Sequence, residues 1–68
     1  MHYRLYGLGR NLRRPIVDVT EGELDDALQL AEAMLEREME CEAIEIFSGA
    51  HFLTAVDRYV AVPVRRWA

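Results

Sequence analysis

The pattern of hydrophobic and polar positions changes along this chain from a period of two to a period of about 3.6 and back again. Alternation over residues 2–8 (HYRLYGL) predicts a first strand, and residues 16–19 predict a second one. The intervening residues 9–15 contain Gly, Asn and Pro and predict a basic loop. A hairpin with a long loop is therefore the simplest connection between the two strands.

An amphipathic helix is predicted from Thr20 to Glu40. Thr20 and Glu23 fit a capping box, in which the threonine hydroxyl accepts a backbone N–H and the glutamate reaches back. At about 100° per residue, one helix stripe is apolar and must face a sheet: it contains Leu24, Leu28, Ala31, Leu35 and Met39, flanked by Ala27 and Met34. A second stripe is almost purely acidic and contains Asp25, Gln29, Glu32, Glu36 and Glu40.

Period two returns over residues 42–48 and 51–56, and the Ser48-Gly49 step between these runs predicts a second hairpin. Residues 58–68 are β-prone but contain Pro63, so they predict a C-terminal edge strand or a tail. The predicted fold class is α+β with the element order ββαββ. Residues 1–57 form a single domain, in which one face of a roughly four-stranded, mainly antiparallel sheet carries the helix.

The opposite face of the predicted sheet has no cover, and its residues are too apolar to be left in water. Depending on the strand register, this face carries some of Tyr6, Leu8, Phe47, Phe52 and Val56. Because exposed apolar patches of this kind mark interfaces, we expect the chain to form a homodimer through its sheet. Tyr6, Phe47 and Phe52 are the residues expected in that interface.

Length and composition restrict the class of protein. A chain of 68 residues with 51% hydrophobic residues supports one core and needs no disulfide or structural metal. Its single cysteine, Cys41, excludes an internal disulfide, and the first residues lack the basic and apolar regions of a secretory signal. The longest apolar run has five residues, against about 20 for a membrane span. We therefore expect a cytoplasmic protein without a membrane segment.

The formal net charge of −4 hides a strong segregation of charge along the chain. Residues 1–17 carry four arginines and no acid, and residues 18–45 carry eleven acids and one arginine. Residues 46–68 carry three arginines and one acid. The folded unit should therefore present regions of opposite sign.

Two charged surfaces are candidate binding sites for a partner protein. The acidic helix face, with Asp25, Glu32, Glu36 and Glu40, could mimic a nucleic acid and dock in a basic groove of a partner. The basic regions could contact phosphates, but the net charge and a pI near 5.0 argue against direct nucleic-acid binding and favour acidic protein surfaces. These regions contain Arg10, Arg13, Arg14, Arg65, Arg66 and Trp67.

The sequence offers little catalytic chemistry. Cys41 and His51 lack a third group that would orient them, so Cys41 is interpreted as a small buried hydrophobe. His2 and His51 do not have the spacing of a helical metal pair, and we expect no catalytic residue, metal or cofactor. The chain is interpreted as a non-enzymatic interaction module or accessory subunit that self-associates. The alternative is an acidic inhibitor or antitoxin-like protein.

Three short segments of the sequence resemble those of a known group of proteins. They are YRLY at residues 3–6, the helical segment DALQLAE at residues 26–32, and the strand segment EAIEIFSG at residues 42–49. Together they resemble a group of short α-proteobacterial proteins whose activity is not established. Members look like YR(I/L)Y and a strand, an acidic DEAxxLA helix and a closing E(L/V)W-type strand. Phe47 stands where the group often has Trp. The resemblance implies a bacterial cytosolic origin and no site residue.

A second resemblance is to antitoxins of the HicB type, whose partial RNase-H-like units also run strand, strand, helix, strand. This chain lacks their aromatic-Pro-Asp phrase before the helix and shows no DNA-binding extension. The resemblance therefore implies an analogy of fold alone.

Overall fold

The computed structural model describes residues 1–58. Its elements are β1 (His2–Leu8), β2 (Val17–Glu21), α1 (Leu24–Arg37), β3 (Ala43–Ser48) and β4 (His51–Asp57). The strands form one antiparallel sheet in the order β2-β1-β3-β4. The predicted α+β class and the ββαββ order are confirmed. The predicted edge strand or tail over residues 58–68 lies outside the described residues, apart from Arg58.

Helix α1 lies on one face of the sheet, which we call the covered face. The central strands β1 and β3 turn alternate side chains towards it, because residues two apart share a face of a strand. The core that results is entirely apolar and contains Tyr3, Leu5, Ile16, Ala27, Ala31, Met34, Leu35, Cys41, Ile44 and Ile46. The amphipathic stripe predicted for the helix therefore supplies the core, except at its two ends.

The helix begins three residues later than the sequence predicts. Its N-cap is Glu23, whose backbone N–H donates to Asp26 Oδ2 at 2.8 Å. Thr20, the predicted cap, instead belongs to β2 and pairs with Tyr3 of β1. The Thr20 cap was wrong because extending the sheet ladder satisfies more backbone groups than starting the helix early.

The helix ends at Arg37, so Glu40 lies beyond it and Met39 does not join the buried stripe. Met39 is 74% exposed, and Leu24 at the other end is 40% exposed. The placement of Met39 in the buried stripe was wrong because the helix ends before it, and Leu24 is exposed although it is the first residue of the helix.

Arg58 closes the C-terminal end of α1. Its Nη2 donates to the carbonyl oxygens of Leu35 at 2.6 Å and Glu38 at 3.2 Å. Nη2 and Nε also donate to the Cys41 carbonyl oxygen at 2.8 and 3.0 Å. A cation at this position meets the negative end of the helix dipole and satisfies carbonyls that no later turn can reach. These hydrogen bonds connect the end of β4 to the C-terminal end of the helix.

Gly7 lies where the backbone of β1 approaches the chain around Cys41. A Cβ atom at Gly7 would lie 2.7 Å from Cys41 Sγ and 2.8 Å from Ile16 Cβ. The Gly7 N–H also donates to the Ile16 carbonyl oxygen at 2.7 Å, which holds the two segments together. Close packing, rather than the flexibility of a loop, therefore accounts for glycine at this position.

Candidate interaction surface

The sheet face opposite α1, which we call the open face, carries the other half of the strand side chains. The register places Arg4 opposite Phe47 and Tyr6 opposite Glu45 at the centre of the sheet. No helix among residues 1–58 covers this face, and none of them is long and apolar enough to cross a membrane. The central strands contribute Arg4, Tyr6, Leu8, Ala43, Glu45 and Phe47, and the edge strands contribute Val17, Val19, Phe52 and Ala55.

An aromatic row crosses the open face over three strands. The rings of Tyr6 and Phe47 meet edge to face, with centroids 5.4 Å apart and an interplanar angle of 84°. Phe47 and Phe52 repeat the arrangement at 5.5 Å and 71°. Edge-to-face pairs of this kind stabilise by about 0.5–1.5 kcal/mol each. The structure thus brings the three predicted interface residues together in one fixed row.

Large apolar side chains flank the aromatic row and reach solvent. Val19 is 64% exposed and Phe52 is 53% exposed, and Leu8, Val17 and Leu53 are also exposed. Leu53 is the extra residue at an irregularity in the β3–β4 pairing. It precedes Ala55 by two positions and so lies on the same side of the strand. Apolar side chains are therefore present on the open face from one edge strand to the other.

Val56 does not belong to the open face. It pairs with Ile44, whose side chain is fully buried under α1, and it packs against the core. The sequence had left Val56 as one candidate for the open face, and the register of β4 places it on the covered face instead.

Two charged side chains lie on the central strands of the open face. Arg4 is exposed, and its Nη2 donates to the Gly49 carbonyl oxygen at 2.6 Å. Glu45 is half-buried, and its carboxylate has no hydrogen-bond or ion-pair partner within residues 1–58. At one corner of the face, His2 Nε2 lies 3.3 Å from Glu21 Oε2, but both side chains are highly exposed and such a pair contributes little.

The outer edge of β2 is blocked by its own residues. The N–H of Val19 points away from β1, and Asp18 Oδ1 accepts it at 2.9 Å. The other oxygen, Asp18 Oδ2, lies 3.7 Å from Arg37 Nη2 on the helix. A carboxylate on an edge strand occupies a donor that another strand would need. The open face, not the β2 edge, is therefore the accessible surface on this side of the molecule.

The acidic helix face is shorter than the sequence predicts. Asp25, Glu32 and Glu36 are exposed on the outer side of α1, as expected for a solvated stripe. Glu40 is exposed as well, but it follows the end of the helix and does not continue the row. The grouping of Glu40 with the other three was wrong, because the chain leaves the helical path after Arg37.

The basic loop lies in solvent. Arg10 and Arg13 are exposed, whereas Arg14 Nη2 approaches Glu38 Oε1 at 3.4 Å. Part of the expected attraction between arginines and acids is thus satisfied within one chain. The other predicted basic residues, Arg65, Arg66 and Trp67, lie outside the described residues.

Cys41 and His51, the two residues considered for catalysis, are far apart in the structure. Cys41 is fully buried beside the helix end, and His51 pairs with Ser48 at the far end of β3, about 20 Å away along the strand. Burial raises the pKa of the Cys41 thiol, and the negative charge of Glu38 raises it further. Within residues 1–58, no three His, Cys, Asp or Glu side chains are grouped to hold a metal ion.

Several residues of the open face were not singled out from the sequence, namely Arg4, Val17, Val19, Glu45 and Leu53. The alternation of Val17, Asp18 and Val19 signals a strand with one apolar face, but that signal does not say which face meets the helix. The register with β1 decides it, because Asp18 lies opposite the buried Leu5.

No protein-family model, curated protein or solved structure matches this chain. The resemblance to the α-proteobacterial group and the analogy to HicB-type antitoxins therefore stay predictions.

Proposed function

We propose that this chain is a small protein-interaction module without catalytic activity, which self-associates through its open face. The observation that carries the proposal is the apolar open face itself, with its fixed row of Tyr6, Phe47 and Phe52. Aromatic side chains are enriched in the central regions of protein interfaces. A cytoplasmic setting is part of the proposal, in keeping with a single cysteine that is buried and reduced.

The dimensions of the open face support a weak association. Four strands about 4.8 Å apart and about six residues long give a face of roughly 19 by 20 Å. That projected area is about 380 Å², roughly half of the 800 Å² or so that each partner of a stable interface buries. We therefore expect a dimer with a dissociation constant in the micromolar range.

The test is to place one charge on the open face and the same charge elsewhere. Leu53→Lys adds an ammonium group to the face, and Met39→Lys adds it at an exposed apolar residue after the helix. Sedimentation velocity from low to high micromolar concentration measures the result. We expect the wild type and Met39→Lys to dimerise alike and Leu53→Lys to remain monomeric. A wild type that stays monomeric throughout overturns the proposal.

A further inference from the structure

We propose that two copies pack open face to open face about a two-fold axis perpendicular to the strands, so that the guanidinium group of Arg4 in each copy lies beside Glu45 of the other. This proposal rests on the self-association proposed above. It adds the symmetry of the dimer and the ionic contact that fixes its orientation.

The axis crosses the middle of the sheet. It lies at the level of Leu5, the central residue of β1, which pairs with Ile46 of β3. Rotation about this axis superposes each strand on the same strand of the second copy and reverses position along it. Gly49, three positions after Ile46, therefore lies at the level of Ala43 of the second copy.

The position of the Arg4 guanidinium group follows from its contact with the β3–β4 turn. Its Nη2 donates to the Gly49 carbonyl oxygen at 2.6 Å. The rotation carries this group over Ala43 of the second copy, whose side chain is small. Glu45 lies two positions from Ala43 on the same face of β3, about 7 Å away, and Asp57 pairs with Ala43 on β4. Each guanidinium group thus reaches an acidic part of the other copy and keeps its bond to Gly49.

The half-buried carboxylate gives this contact its physical reason. Glu45 has no polar partner within residues 1–58, and a second open face that covers it removes the water around it. A desolvated carboxylate is costly unless a cation or hydrogen-bond donors meet it. Arg4 of the second copy supplies that cation, and two-fold symmetry makes the contact twice.

The same charges disfavour a two-fold axis parallel to the strands. Such an axis preserves position along the strands and lays β1 of one copy over β3 of the other. Both Arg4 guanidinium groups then lie at the same end of the interface, about 14 Å along the strands from Glu45 of the other copy. The two Glu45 residues lie in one row, a single strand spacing of about 4.8 Å apart.

Like charges brought together destabilise a complex. The perpendicular axis instead places the two Arg4 guanidinium groups at opposite ends of the interface, about 20 Å apart along the strands. The charges of the central strands therefore select the perpendicular axis.

Apolar residues of the two edge strands also come together about this axis. On β2, Val17 and Val19 flank the level of Leu5, so Val17 of each copy lies over Val19 of the other. On β4, Phe52 lies over Ala55 of the second copy, which sets a large side chain against a small one. Every strand of the open face thus takes part in the contact.

Crosslinking through single cysteines tests the direction of the axis. Val17 and Leu8 are both exposed on the open face. Along the strands, the perpendicular axis leaves the two Val17 positions about 7 Å apart and the two Leu8 positions about 20 Å apart. A parallel axis reverses this order, with about 14 Å across the strands between the Val17 positions and about 5 Å between the Leu8 positions.

Val17→Cys and Leu8→Cys are each treated with bismaleimidoethane, a short crosslinker, at a concentration where sedimentation shows dimers. Val17→Cys should form a covalent dimer on a denaturing gel, and Leu8→Cys should run as a monomer. The wild type is the blank, because its Cys41 is fully buried. Adding Leu53→Lys to Val17→Cys should abolish the crosslink.

Charge reversal tests the ionic contact. Arg4→Glu and Glu45→Arg each place like charges at both contacts of a homodimer, so each should weaken dimerisation about tenfold or more. A mixture of the two variants restores opposite charges, and native mass spectrometry should show a heterodimer. Arg13→Glu and Glu32→Arg make the same charge changes at exposed residues away from the open face and should leave dimerisation unchanged. Circular dichroism checks that each variant is folded.

The outcomes separate this arrangement from self-association itself. If Leu8→Cys crosslinks, or if neither cysteine variant does although the protein dimerises, the direction of the axis is wrong and the self-association stands. If Arg4→Glu and Glu45→Arg dimerise like their controls, or if their mixture does not recover, the ionic contact is wrong. A wild type that is monomeric throughout overturns both proposals.

Discussion

The two faces of the sheet are built from the same strands but differ in burial and in chemistry. On β1, Leu5 is fully buried under the helix, whereas Leu8 on the open face is 42% exposed. On β3, Ile44 and Ile46 are fully buried, whereas Glu45 between them keeps a carboxylate at the surface. The core on the covered face consists of apolar side chains that interact through packing alone. The open face combines the aromatic row with charged side chains, of which Arg4 and Glu45 lie on its two central strands.

The largest expected difference between the faces concerns stability. Leu5→Ala leaves a cavity in the core and should cost about 2–5 kcal/mol. A domain of this size is stable by only about 3–10 kcal/mol, so this variant should be at the limit of folding. Leu8→Ala, on the same strand, should cost less than about 1 kcal/mol because Leu8 is already partly in water.

Urea unfolding at low protein concentration, where any dimer is dissociated, measures both leucine variants as monomers. Equal losses for Leu5→Ala and Leu8→Ala would contradict the distinction between the covered and the open face.

The second prediction concerns the hydrogen bonds that Arg58 donates at the C-terminal end of α1. Arg58→Met removes the hydrogen bonds to three carbonyl oxygens and should lower the free energy of unfolding by about 1.5–3 kcal/mol. Arg14→Met removes the exposed cation of a long ion pair with Glu38 and should cost less than about 1 kcal/mol. Amide hydrogen exchange should show faster opening of the last turn of α1 in Arg58→Met alone. Equal effects in both variants would contradict a capping role for Arg58.

The third prediction uses the pH dependence of the buried thiol. Because the pKa of Cys41 is raised in the folded state above the ordinary value of 9.0, the unfolded chain loses its proton first as the pH rises. The stability due to the buried thiol is therefore fully present below about pH 9 and is lost progressively above it. The free-energy gap between the wild type and Cys41→Ala should narrow from about pH 8 to about pH 10. A constant gap would show that Cys41 is accessible to water.

The smallest effect is expected at the outer side of the helix, away from both faces of the sheet. Reversing Glu32 and Glu36 together to Arg should change stability by about 0.5 kcal/mol or less, since both side chains are exposed. Dimerisation measured by sedimentation should also be unchanged. If association is instead lost in this double variant, the acidic helix rather than the open face binds the partner.

The sequence predicts the elements of this fold well because each one has a clean period. The strand over residues 2–8 was predicted correctly, and the period of two predicted over residues 42–48 is observed in β3, where Ile44 and Ile46 are buried and Phe47 is not. The start of the helix could not be predicted locally. Thr20 has the chemistry of a cap, but its pairing with Tyr3 depends on a strand far away in sequence.

The candidate site depends even more on long-range contacts. Which side of β2 and β4 meets the helix follows from the register with β1 and β3, so Val19 and Val56 could not be assigned from the sequence. Arg58 was counted as one charge among others, because nothing local signals that its guanidinium reaches the helix end. In each case the missing information is a contact between residues distant along the chain.

The contact of Asp18 with the Val19 N–H also limits the size to which an assembly can grow. A sheet with an unprotected edge can add strand after strand and lengthen into a fibre. At β2 the carboxylate opposes such growth, because it already accepts the Val19 N–H that an added strand would need. One aspartate on an edge strand thus disfavours the growth of an endless ribbon of strands.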